Sequence, residues 1–257
     1  MIVRERADAF VMIEQDDHAK VSGELIKQWN HDNFLGSEWR KSVEYAVDQH
    51  DIGWKPFDQQ PFWNDEEQAP YTFANFPTLP KIVLYTYGID VVEKEDPYAA
   101  LLCSEHYKRF LLNNTSEEAQ AFVQQEEARQ QRLISSLDDF NKRLFNFHYA
   151  MVQLGDNLSL YLCLNEPGAK KEEEHPFFRE GIPIPTAVEE FNQEKIQLWW
   201  EDDRTVMVEE YPLDRPVTVK LRQRVVSRAA IRDAGLISSY EEAEVEDVLV
   251  EIRGVRG

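Results

Sequence analysis

The sequence predicts a mainly α-helical protein with an additional antiparallel β element at its C-terminal end. Between residues 15 and 164, apolar residues recur at three- and four-residue spacing in successive stretches, as amphipathic helices require. Between about 190 and 253 the pattern changes to short alternating or β-branched runs separated by turns. The segment from Asn165, NEPGAKKEEEH, breaks both periods with charge, proline and glycine. These shifts divide the chain into a helical domain with an N-terminal β-hairpin (1–164), a connection (165–189) and a β element (190–257). The N-terminal strands are expected to join that β element, because open sheet edges invite aggregation.

The hairpin is read from Ile2-Val3 and Phe10 to Ile13 around the polar Arg6-Ala7-Asp8. Asp16 or Asp17 is expected to cap the first helix, on which His18, Val21, Ser22, Leu25, Ile26 and Trp29 share one face. Ser37 is expected to cap the second, where Val43, Ala46, Val47 and His50 fall at i, i+3, i+4 and i+7. Asp51 follows directly, and Gly53 lets the backbone turn sharply. From Trp54 to Pro80 the chain is rich in aromatics and prolines and keeps neither period. It reads as a long ordered loop, either a lid over a pocket or a seal on the core.

Asp96-Pro97 opens a helix whose buried face carries Ala99, Leu102, Cys103, His106 and Phe110. Thr115 and Glu118 form a capping box ahead of a charge-rich helix reaching about Leu133. A further helix is expected over 137–164. Asp156 lies in its most apolar part, where an unpaired carboxylate would cost several kcal/mol. Antiparallel strands follow at Ile196–Trp200, Thr205–Tyr211, Pro216–Val226 and Asp247–Arg253. A short helix between Ser227 and Gly235 interrupts them.

Composition narrows the function. The 14 Phe, 10 Tyr and 6 Trp support a substantial core, and the net charge of −20 opposes bulk nucleic acid and anionic membranes. No apolar run nears the ~20 residues of a membrane span, and MIVRERADAF has no apolar signal region, so a cytoplasmic location is expected. Cys103 and Cys163 lie in apolar helical contexts and are expected to be reduced core thiols. His31, His148 and His175 read as structural or exposed.

Four inward-facing sites remain: His18, the pair His50-Asp51, His106 and Asp156. Imidazoles and carboxylates gathered in this way suit a divalent transition metal such as Mn, Fe, Ni or Zn. Their order in a helical chain resembles the HD superfamily of metal-dependent phosphohydrolases, over roughly residues 15–164. The stretches DDHAKVSGEL, VDQHDIGW, DPYAALLCSEHY and QLGDNLSLYLC also resemble a bacterial family, the domain of unknown function numbered 3891. The HD resemblance implies an HD-like helical core in which His18, His50, Asp51 and Asp156 hold one ion. Asp51 would carry catalysis and would bridge to a second ion wherever His106 supplies a further ligand. A single well-bound ion is the expectation, with His106 in or beside its ligand shell.

The function that follows is hydrolysis of a small phosphorylated molecule, an ester or a nucleotide. The alternative is a non-catalytic metal- or ligand-binding regulatory protein of the same fold. Lys20, Lys55, Lys108, Arg109 and Trp54 follow the ligand segments and are the substrate-binding candidates. Assembly into an oligomer is left open.

Overall fold

The computed structural model describes residues 1–189, 191 and 193–255. Seven helices come first in chain order: α1 (Gln15–Ile26), α2 (Arg40–Gln49), α3 (Lys55–Asp58), α4 (Thr78–Glu95), α5 (Pro97–Leu111), α6 (Glu117–Ser136) and α7 (Lys142–Leu164). Two short ones, α8 (Arg228–Ala234) and α9 (Leu236–Glu242), come late. Several starts are fixed by side-chain caps. Asp96 accepts from the amides of Tyr98 and Ala99 at the start of α5, Ser116 from Ala119 at α6, and Asn141 from Arg143 and Leu144 at α7. The cap of α6 is thus Ser116 rather than Thr115. Leu137 closes α6 instead of opening α7.

The expected caps of the first two helices also shift. Asp16 and Asp17 lie within the first turn of α1, where carboxylates favour the positive end of the helix dipole. Ser37 begins a 3-10 turn, Ser37–Trp39, that leads into α2. The aromatic segment after Trp54 is shorter than expected, because α4 begins at Thr78. That helix has buried Leu84, Ile89 and Val92 but also exposed Leu79, Val83 and Tyr87, so its sequence carries no clean amphipathic period.

The strands are β1 (Ile2–Glu5), β2 (Ala9–Ile13), β3 (Trp63–Asn64), β4 (Ala69–Pro70), β5 (Ile182–Pro183), β6 (Lys195–Ile196), β7 (Leu198–Trp200), β8 (Thr205–Val208), β9 (Val217–Ser227) and β10 (Val245–Gly254). Two small ladders, β3 with β4 and β5 with β6, stand apart. The rest form one six-stranded sheet in the order β1-β2-β9-β10-β8-β7, curled into half of a barrel. This corrects the expectation of a mainly helical HD-like core with a small β addition: about 49% of the chain is helical and 19% is strand. The sheet is also mixed, since β8 runs parallel to β10. Local alternation marks a strand but carries no information about its partner, and β10 enters between β8 and β9 rather than extending a meander.

The sheet and the helices share one core. Val217, Val219 and Leu221 of β9 point inward while Thr218, Lys220 and Arg222 face out, and α1 packs on this strand. One apolar cluster runs from Ile13, Val219 and Ile252 of the sheet to Leu25, Val47 and Leu154 of the helices. A second, smaller cluster of Phe10, Met12, Val226, Leu236 and Tyr240 packs β2 and β9 with α9. Cys103 and Cys163 are buried and unpaired. Among the described residues, no helix is long and apolar enough to cross a membrane.

Two glycines set the spacing around the centre of the helical layer. A Cβ on Gly155 of α7 would lie 2.9 Å from side-chain carbons of both Ile26 and Val47. Glycine there lets α7 lie against α1 and α2 one residue before Asp156. A Cβ on Gly53 would meet the Leu84 carbonyl oxygen at 2.2 Å, so the turn after Asp51 touches the backbone of α4. Gly53→Ala is expected to destabilise the protein by at least about 1–3 kcal/mol, the usual cost of overpacking. Urea denaturation measures it, and an unchanged midpoint would show that α4 moves aside freely.

Candidate metal centre

The five candidate ligands come from four parts of the helical layer. His18 lies in the first turn of α1, His50 is the C-cap of α2 with Asp51 next in chain, His106 is on α5, and Asp156 is on α7. His18, His50 and His106 are buried, as is Asp51, while the Asp156 side chain keeps 13% exposure. His18 Nε2 lies 3.2 Å from His50 Nε2, 3.4 Å from Asp51 Oδ2 and 3.3 Å from Asp156 Oδ1. His50 Nε2 lies 3.7 Å from Asp51 Oδ2 and 3.6 Å from Asp156 Oδ1.

These spacings fit a divalent ion. Donors about 2.1 Å from a common centre are about 3.0 Å apart at right angles and about 3.4 Å apart in a tetrahedron. The ring orientations agree. The Nδ1–H of His50 donates to the Val47 carbonyl at 2.7 Å, and Nδ1 of His18 bonds the Ser159 hydroxyl. Ser159 in turn donates to the Asp156 carbonyl and contacts Ser22. With each Nδ1 so engaged, both Nε2 atoms face the carboxylates, as metal-binding imidazoles do.

Asp51 is held from two sides, by Gln15 Nε2 on Oδ2 at 2.9 Å and by the Tyr107 hydroxyl on Oδ1 at 3.2 Å. Asp51 Oδ1 is thus engaged by Tyr107. The carboxylate that spans the cluster is Asp156, with Oδ1 toward His18 and His50 and Oδ2 4.0 Å from His106 Nε2. His50, His106 and Asp156 form a second group with metal-compatible spacing.

Burial alone would lower the His50 pKa, but Asp51 and Asp156 together outweigh it and push it up from 6.5 to about 9. For His106, burial wins and lowers the pKa to about 4. Burial would raise both carboxyls. The surrounding imidazoles hold Asp51 below the ordinary range, and Asp156 further still. Without a metal, the two carboxylates therefore favour the protonated form of His50.

A cavity of about 430 Å³ opens onto Asp51, Asp156 and His106. Trp54 lines it, as do Phe73 and Ala74 from the aromatic segment. The four expected basic residues do not. Lys20 and Lys55 reach Asp16 at 2.6 and 2.9 Å, while Lys108 and Arg109 reach Glu105 at 2.9 and 2.8 Å, each pair meeting a buried acid. The lysine that does line the cavity is Lys81, on the helix α4 that the sequence pattern does not reveal. Of the other histidines, His148 is fixed between the Tyr98 hydroxyl and the Leu35 carbonyl, His31 meets Arg40, and His175 accepts from the Phe177 amide.

A family model described as "Protein of unknown function (DUF3891)" matches residues 1–228. The chain belongs to this family. The DUF3891 match takes in all five clustered side chains and stops at the start of α8, before β10. No curated protein and no solved structure matches the chain.

The His50 proton sets a pH dependence. A folded pKa above the unfolded value contributes stability that is complete below about pH 6.5 and is lost as pH rises through about 9. Chelator-treated protein is expected to melt at a lower temperature at about pH 9.5 than at about pH 6.5. Saturation with a divalent ion, which replaces the proton, should flatten that slope. A melting temperature independent of pH in the chelated protein would contradict this charge arrangement.

Proposed function

We propose that this protein is a metal-dependent phosphohydrolase acting on a small phosphate ester. The observation that carries the reading is the pair of imidazole nitrogens, His18 Nε2 and His50 Nε2, 3.2 Å apart and each 3.3–3.7 Å from an oxygen of both Asp51 and Asp156, beside a cavity of about 430 Å³. The ligand order, His18 on α1, then His50-Asp51 at the end of α2, then Asp156 on α7, resembles the HD superfamily and supports the same chemistry. His18, His50, Asp51 and Asp156 would hold the ion, with His106 beside Asp156.

A divalent ion bound here would supply Lewis acidity toward water and toward phosphoryl oxygens. The protein groups do the positioning. Tyr107 and Gln15 fix the Asp51 carboxylate, while Ser159 and the Val47 carbonyl fix the two imidazoles. Gln15 Oε1 is buried and has no partner among the described residues, although its amide lines the cavity next to Asp51. It is placed to accept a hydrogen bond from a water or a substrate hydroxyl, which would satisfy the orphaned acceptor. Neutral His106, also on the cavity wall, is free to move a proton.

The test is a panel of phosphate monoesters offered to the full chain loaded in turn with Mn, Fe, Ni and Zn. Hydrolysis of at least one ester is expected, together with its loss on chelation. In Asp51→Asn, metal affinity or turnover should fall by more than about 100-fold. Tight metal binding with no turnover of any ester would leave a metal-binding regulatory protein as the better reading.

A further inference from the structure

The cavity beside the metal centre has an unusual balance of chemistry. Trp54, Tyr85, Phe110, Tyr149, Phe177 and Phe178 supply aromatic surface from five segments of the chain. Against this stands one cation among the described lining residues, Lys81. Its ammonium donates to the Ala74 carbonyl at 3.1 Å and meets no carboxylate among the described residues. In a chain with 48 acidic and 28 basic residues, a half-buried lysine without an acidic partner is conspicuous. Burial pushes its pKa down, and an anion in the cavity would offset that cost.

The charge balance limits the ligand. A divalent ion and the carboxylates of Asp51 and Asp156 cancel, so Lys81 leaves the neighbourhood with about one positive charge. A monophosphate ester, which carries about −1.5 to −2 at neutral pH, is met to within about one charge, whereas a polyphosphate would bring several uncompensated charges into a protein of net charge −20. The aromatic walls favour a flat apolar group over a hydroxylated one, because stacking and desolvation both favour the ring.

We propose that Lys81 is the phosphate-binding residue of this cavity, and that the ligand is a monophosphate ester of a flat, apolar alcohol whose ring lies among the aromatic side chains. The proposal rests on the phosphohydrolase reading for the identity of the anion, but its test does not depend on turnover.

The probe is phenylphosphonate, which keeps the ring and the anion and has no ester bond to hydrolyse. It is titrated calorimetrically into the manganese-loaded full chain, with methylphosphonate as the ringless control. Phenylphosphonate should bind at least about tenfold more tightly than methylphosphonate, reflecting ring burial. Magnesium tripolyphosphate should fail to displace it. Lys81→Gln should weaken both phosphonates by about 10- to 100-fold, the scale of a charge-assisted hydrogen bond, while Lys81→Arg keeps most of the affinity. Metal content and melting temperature are measured on both variants, so a folding defect is recognised. The comparison of phosphonates on the unmodified protein needs no variant.

Equal affinity for the two phosphonates would overturn the substrate class, and so would displacement by tripolyphosphate. Unchanged binding in a folded Lys81→Gln would overturn the role of Lys81. The two readings fail separately. Turnover of esters that is indifferent to Lys81 and to the ring sinks this inference alone. Lys81-dependent binding of phenylphosphonate without hydrolysis of any ester sinks the hydrolase reading alone.

Discussion

The constraint on which the helical layer depends is the burial of two carboxylates, Asp51 and Asp156, beside three imidazoles. Ionised groups in the interior cost several kcal/mol each unless opposite charge and hydrogen bonds meet them closely. That requirement fixes distances between helices that apolar packing alone would leave adjustable. Gly155 lets α7 lie against α1 and α2, so that Asp156 reaches His18 and His50. Gly53 seats the turn after Asp51 against α4, and Tyr107, stacked on Tyr85 at 4.2 Å, donates to the same carboxylate from α5. Substituting any of these groups would disturb the charge cluster and the packing together.

Much of this cluster is legible in the sequence, and the reason is geometric. His18, His50, His106 and Asp156 each occupy an apolar-face position of a helix, and a polar residue at such a position needs a partner. What the sequence hides is the supporting set. Gln15 precedes the periodic stripe of α1, and Tyr107 and Ser159 look like ordinary neighbours of ligand residues. Their roles depend on packing between helices far apart in the chain. Lys81 is hidden for another reason: it sits on α4, where exposed Leu79, Val83 and Tyr87 blur the helical period. Proximity in sequence to a ligand proved a poor guide to cations, because Asp16 and Glu105 lie nearer to Lys20, Lys55, Lys108 and Arg109 than the cavity does.

The strands teach a similar lesson about the fold. Alternation in β9 and the turn around Asp202-Asp203 mark strands locally, and β7 does pair with β8 as a hairpin. Pairing between distant segments is another matter. The register of β2 on β9 joins Ala9 to Ser227, and that of β8 on β10 joins Thr205 to Glu251. Edge protection does lead to the expectation that the N-terminal strands join the C-terminal ones, as β2 joins β9, but neither register leaves a trace in a ten-residue window. The consequence is a sheet larger and more central than the local pattern suggests.

The place of β10 between β9 and β8 has a consequence for the order in which the molecule assembles. The hairpin of β7 and β8 has no ladder to join until the strand from Val245 to Gly254 is available, and β2 must wait for β9. Pairings across such long sequence separations are slow to form. The helices that carry the clustered histidines and aspartates all precede residue 165, and neighbours in sequence such as α1 with α2 and α5 with α6 pack on one another. On this topology the local contacts between neighbouring helices are expected to form faster than the long-range ladders of the sheet, which completes only when β10 lies between β9 and β8.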